Sequence, residues 1–135
     1  MNEAMKQLQT ALVSALKADS ELTASIGTNR VFDSPGKGLR PPYIVVGRHD
    51  CQRQLAQDLF ISSHVLDWHI WLDKPHRCEG FDIAARLWTA LEAVTIVGGN
   101  MKLIQTAHTR TESTIVPSNG WTRVLVQTQF RIENN

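Results

Sequence analysis

What this sequence withholds narrows it before any motif does. It has two cysteines, Cys51 and Cys78, too few for a disulfide framework, so reduced thiols are expected and a pairing of the two stays open. It has no apolar run approaching the length that crosses a bilayer, and no membrane contact is expected. Its first residues, M-N-E-A-M-K-Q-L-Q, lack the charged-then-apolar order of a signal peptide. Charge of one sign is missing too: 14 Lys and Arg stand against 13 Asp and Glu, for a net +1. The arginines are scattered, unlike the basic stripe of a free nucleic-acid binder. There is no internal repeat and no low-complexity tract. With 42% hydrophobic and 20% charged residues in 135, one domain spanning residues 1–135 with one core is expected.

Catalytic signatures are equally scarce. Gly36-Lys37-Gly38 lacks the spacing of a phosphate loop and the Ser or Thr that opens the following helix. The acidic residues show no paired arrangement suited to acid–base work. His76 and Cys78 have an H-x-C spacing, but a zinc site needs four ligands. The remaining candidates, His49, Cys51, His64 and His108, complete no standard pattern, so a polar loop after a strand is the plainer reading. No metal and no cofactor are expected.

The elements themselves are legible from periodicity. Met5, Leu8, Leu12, Ala15 and Leu16 form one stripe of an N-terminal helix. Asp19 or Ser20 can cap a short second turn burying Leu22 and Ile26, and Gly27 is placed to end it. Val31 and Phe32 suggest a short strand. S-P-G-K-G-L-R-P-P is a loop, and Y-I-V-V-G after it reads as a buried strand. The polar H-D-C-Q-R-Q-L-A-Q-D has no clear period and is either an extended hairpin arm or a mobile loop. A strand follows over residues 60–73, stopped by Lys74-Pro75. Ile83, Leu87, Leu91 and Val94, widened by Trp88, mark a second main helix, with Asp82 near its start. Residues 97–100 read as a turn. Two strands close the chain, over 101–116 and 121–133, with Asn119-Gly120 supplying the positive φ values of a tight hairpin. The order helix, hairpin, helix, hairpin predicts an α+β domain: a mostly antiparallel sheet of four to five strands with two main helices on one face.

One stretch decides between chemistry and architecture. Residues 66–78 read L-D-W-H-I-W-L-D-K-P-H-R-C. Alternate residues of a strand share a face, so Leu66, Trp68, Ile70 and Leu72 form an apolar set, and Val65, Asp67, His69 and Trp71 a mixed one. Asp67 could orient the His69 imidazole, but no nucleophile is fixed beside them by local spacing. Trp68 and Trp71 leave the strand in opposite directions, and one small core is a poor home for both. Trp71, or the outward set Arg123, Gln127, Gln129 and Arg131 on the last strand, is therefore a candidate subunit contact.

R-P-P-Y-I-V-V-G followed by H-I-W-L-D, the opening A-L-V-S-A-L-K-A-D and E-L-T-A-S-I-G, the segment R-V-F-D and the helix I-A-A-R-L-W-T-A-L make the chain resemble a known family. It is similar to the tail terminator or tail-completion proteins of long-tailed phages and gene transfer agents. That resemblance implies a structural virion protein at the head–tail junction, assembled in the bacterial cytoplasm. It implies a hexameric ring that ends the tail tube and docks on the head connector or stopper, with DNA passing through the channel without specific binding. It implies no catalysis and no cofactor. Near-neutral charge suits a wall along which DNA slides, since each phosphate clamp adds salt-dependent affinity. On this reading Asp50, Gln52, Arg53, Gln54, Gln57 and Asp58 form an arm toward the tube or the next subunit, joined by Trp71. Arg123, Gln127, Gln129 and Arg131 face outward or into the channel. Two rival expectations remain: a small enzyme or ligand-binding domain using the Asp67/His69 face, and a nucleic-acid module using Arg110, Arg123 and Arg131.

Overall fold

Ala4, Leu8, Leu12 and Leu16 recur every four residues, and the chain winds them into helix α1 (Asn2–Ala18) with that stripe buried. The structure, a computed structural model, describes residues 2–56, 59–98 and 100–134. The Asp19 carboxylate accepts the Leu22 N–H at 2.9 Å and starts α2 (Ser20–Ile26), which buries Leu22 and Ile26. Gly27, at φ 99°, ends it in a conformation that a side chain would oppose.

The sheet contains β1 (Val31–Phe32), β2 (Tyr43–Ala56), β3 (Leu59–Leu72), β4 (Val97–Gly98), β5 (Met101–Ile115) and β6 (Thr122–Asn134). Their spatial order is β1-β2-β3-β6-β5-β4. Every neighbouring pair is antiparallel except β1–β2, which is parallel. Among the described residues this is a six-stranded mixed sheet with three helices, which corrects the expected four to five strands and the simple alternation of helix and hairpin; beside the two main helices, α2 is the short turn expected to bury Leu22 and Ile26. The extra elements are short. Strand β1 is the one suggested by Val31 and Phe32, whereas the 97–98 segment taken for a turn is the strand β4, paired with Met101 and Lys102.

The polar stretch after Gly47 is strand as far as Ala56, not a loop. Each of its residues faces one on β3, out to Ala56 opposite Leu59. Ladder hydrogen bonds come from the backbone, so a strand forms here without an apolar pattern.

The third helix, α3 (Arg77–Glu92), starts five residues before Asp82. Thr122 explains the early start. Its hydroxyl donates to the Lys74 carbonyl at 2.7 Å and accepts the His76 N–H at 3.0 Å, closing the turn from β3. Glu79 in the first turn takes Lys74 at 2.8 Å and His76 at 3.1 Å. Gly80 lets the helix lie on the sheet: a Cβ there would stand 2.6 Å from Cγ2 of Val124. The 117–120 turn also differs from expectation. Gly120 has φ 71°, but Asn119 does not share a positive value; its side-chain oxygen instead accepts the Trp121 N–H at 2.9 Å.

One face of the sheet carries the core. Leu66, Trp68, Ile70 and Leu72 from β3 meet Val124, Val126, Phe130 and Ile132 from β6, under Leu8, Leu12 and Leu16 of α1 and Ile83, Leu87 and Leu91 of α3. The one polar group of the buried indole is satisfied: Trp68 Nε1 donates to the Thr128 hydroxyl at 3.0 Å, which donates on to the Leu66 carbonyl at 3.0 Å. The apolar alternation read from β3 and β6 is the one observed.

Candidate functional site

The opposite face of the sheet is turned away from the helices and mixes polar and charged side chains with Tyr43, Ile61, Val65, Trp71 and Leu125. Register places Asp67 opposite both Arg48 and Gln127, Val65 opposite Gln129, and Trp71 opposite Arg123. Pairs directly across an antiparallel ladder share a face, so these side chains form one surface. Asp67 accepts from Arg48 at 3.1 Å on one oxygen and from Gln127 at 3.1 Å on the other. Arg48 also meets Asp50 at 3.2 Å. Glu112 on β5 sits between Arg110 and Arg123, the latter at 3.5 Å. Gln129 donates to Ser63 at 2.6 Å, and Arg131 to Gln105 at 3.5 Å. Asp50, Asp67 and Glu112 on this wall are each met by a guanidinium, so this part of the surface is strongly polar and nearly neutral.

The Asp67/His69 pairing does not form. Both Asp67 oxygens are engaged elsewhere, and the His69 ring lies over the β-bulge at Gly47, where a Cβ would come within 2.1 Å of it. Burial and then Arg123 push the His69 pKa down, against smaller opposing effects of Asp67 and Glu112. Trp71 is half-buried on the outer face and meets Trp121 edge to face, 6.2 Å between centroids.

The arm residues do not share one direction. Asp50 and Gln52 lie on the outer wall, whereas Arg53 is on the helix-side face, its guanidinium 4.7 Å from the centroid of the half-exposed Phe60 ring. The Gln54 backbone pairs with Ile61. Gln57 and Asp58 lie outside the described residues.

A second polar cluster, on the helix side of the arm, escaped the sequence reading. His49 Nδ1 lies 3.1 Å from the Gln9 side-chain oxygen, and His49 Nε2 lies 2.9 Å from His64 Nδ1. His64 Nε2 in turn meets Ser62 at 2.9 Å and Cys51 Sγ at 3.7 Å. Gln9 donates to Asp33, which ties α1 to the segment after β1. His64 is fully buried, and burial plus the neighbouring His49 push its pKa down to about 4. The available signal was period two: Ser62 and His64 continue the inward set of Leu66 and Trp68.

Nothing in this cluster resembles activated chemistry. Burial raises the Cys51 thiol pKa, the opposite of what a nucleophile needs. Cys51 and Cys78 are not joined to each other: one is on β2 and the other opens α3. Among the described residues, no group of three or more His, Cys, Asp or Glu is disposed to hold a metal ion. His76 is turned to Glu79, and His108 to Thr111 and the ring of Trp88. An open groove of about 810 Å³ runs between α1 and β1 along Val13, Val31 and Phe32.

A helix-backed sheet with long edge strands and a polar, largely ion-paired wall is the build of an assembly protein, one that works by presenting surface to other chains. Residues 10–133 match the family described as "Tail completion protein gp17", and the chain belongs to that family. It is a structural protein of the virion and not an enzyme. The chain is 29% identical over 139 residues to the tail completion protein gp17 of Bacillus phage SPP1, covering 98% of this chain and 96% of that one. Its fold matches a chain from the virion of a native gene transfer agent particle with a TM-score of 0.82 at 22% identity, covering 94% and 95% of the two chains. It also matches the structure of the bacteriophage SPP1 gp17 protein, with a TM-score of 0.62 at 24% identity over 94% and 89%.

Proposed function

We propose that this protein forms a hexameric ring at the head–tail junction of a phage or gene transfer agent particle. The ring ends the tail tube, docks on the head connector or stopper, and lets DNA pass through its centre. Assembly takes place in the bacterial cytoplasm. The observation that carries this reading is the outer wall of the sheet. It is large, rich in polar groups and largely ion-paired, with no pocket chemistry, which suits a surface that neighbours DNA without gripping it. Arg123, Gln127, Gln129 and Arg131 occupy that wall and are assigned to the channel or its lining contacts. The segment that carries Asp50, Gln52, Arg53 and Gln54 reaches toward the tube or the next subunit, and Gln57 and Asp58 are assigned to the same contact. Trp71, edge to face with Trp121, sits at the opposite end of β3 and is assigned to a subunit contact.

Electron microscopy of the protein mixed with tail-tube subunits tests this. A ring at one end of each tube is expected, and deletion of residues 50–58 should leave a folded chain that no longer caps. Uncapped tubes with the intact protein, or salt-sensitive DNA binding by the isolated chain, would count against the reading.

A further inference from the structure

The sheet ends in two unusually open edges. On β2, the short β1 covers only Ile44 and Val45, leaving residues 46–56 with no strand beside them on that side among the described residues. On β5, β4 covers Met101 and Lys102, and Leu103 donates back to Ile96, leaving residues 104–115 bare. Rows of unpaired N–H and C=O groups this long are a template for another strand, and natural proteins normally cover or blunt them.

Resting on the ring reading above, we infer that these two edges are each other's partners: β2 of one copy adds to β5 of the next, in antiparallel register, with Arg48 opposite Glu112 and Asp50 opposite Arg110. Three observations carry this. The first is direction. β2, β3, β6 and β5 alternate, so β5 runs opposite to β2. Copies related by rotation about an axis along the strands then bring β5 of one beside β2 of the next as an antiparallel pair, with every strand direction preserved.

The second is charge. On the outer wall, β2 presents Arg48 and Asp50 two residues apart, and β5 presents Arg110 and Glu112 two residues apart. In the isolated chain each pair meets along its own strand, and Arg48 and Glu112 also reach Asp67 and Arg123 on the neighbouring strands. Antiparallel addition reverses one order against the other, so every guanidinium on one edge meets a carboxylate on its neighbour.

The third is extent. With Arg48 facing Glu112, and the bulges at residues 47, 109 and 104 each counted as one extra residue, residue 46 faces residue 113 and residue 54 faces residue 105. The free window of β2, bounded by β1, then overlays the free window of β5, bounded by β4. A two-fold pairing of β2 with β2 would leave both β5 edges bare, whereas head-to-tail addition closes every edge in the ring.

The test is covalent capture in the full chain. Arg48→Cys and Glu112→Cys are combined in one chain in which Cys51 and Cys78 are replaced by serine, and the protein is oxidised after assembly on tail tubes. Within one chain these positions are separated by β3 and β6, about 14 Å across three strand spacings, too far for a disulfide. A ladder of covalent oligomers up to the ring size is the expected result, with neither single-cysteine variant giving one. Rings on tubes without a ladder would overturn the edge pairing and leave the ring reading standing. A ladder without capped tubes would support the pairing and reject the tube-ending role. Neither rings nor a ladder would overturn both. As a second readout, Arg48→Glu should weaken self-association about five-fold, and adding Glu112→Arg should restore it; equal loss in the double variant would count against the register.

Discussion

The two faces of β3 and β6 are built from the same strands and differ in almost everything else. Inward, Trp68, Ile70, Val124 and Val126 are sealed under α1 and α3. Outward, Asp67, Gln127, Arg123 and Glu112 hold one another at hydrogen-bond distance and remain partly open to water. The inner face stabilises the chain through apolar area removed from water. The outer face contributes little to that, because solvent screens its ion pairs. Its regularity is therefore better explained by what it meets than by the stability of one copy.

Substitutions on each face break this comparison. The largest effect belongs to Trp68→Ala, which opens a cavity under both helices and removes the donor to Thr128; unfolding in urea should show a loss of about 3–5 kcal/mol. Acid comes next. The folded His64 pKa, about 4, lies below the ordinary 6.5, so the unfolded chain takes up a proton that the folded chain refuses. Stability should be flat above pH 6.5 and fall as pH drops through 6.5 toward 4, by about 2–3 kcal/mol. His64→Leu should flatten that slope, with urea midpoints at pH 7 and pH 4.5 as the readout. Gly80→Ala should cost about 1–2 kcal/mol despite the better helix former, because its methyl meets the buried Val124; Val124→Ala in the same chain should recover part of the helix seating, read by near-ultraviolet circular dichroism. Gln127→Ala on the outer wall sits at the bottom of the scale, within about 0.5 kcal/mol in stability. A large stability loss there would erase the distinction between the faces.

The same contrast explains what could be read in advance. The inward set on β3 and the alternation on β6 follow from period two, and Leu8, Leu12 and Leu16 from period four, because burial imposes a pattern on residue choice. The arm could not be assigned on that basis. His49, Asp50 and Gln52 show no apolar period, and what makes them strand is a partner on β3 that no local window contains. The start of α3 was hidden similarly, since Thr122, which closes the turn at Lys74 and His76, lies more than forty residues along the chain. The outer wall was legible as a set of outward residues, but its internal pairing was not. Which guanidinium meets which carboxylate depends on strand order, and that order brings β6 between β3 and β5.

The chain from Gln9 through His49 to His64 has a mechanical consequence. Strands β2, β3, β6 and β5 form one continuous ladder, stiff in its own plane and compliant across it. An oily contact alone would let a helix slide over such a plate, whereas directional bonds from α1 to β2 and on to β3 pin it at one place. The seating of the helix on the sheet is thus set by a few polar atoms.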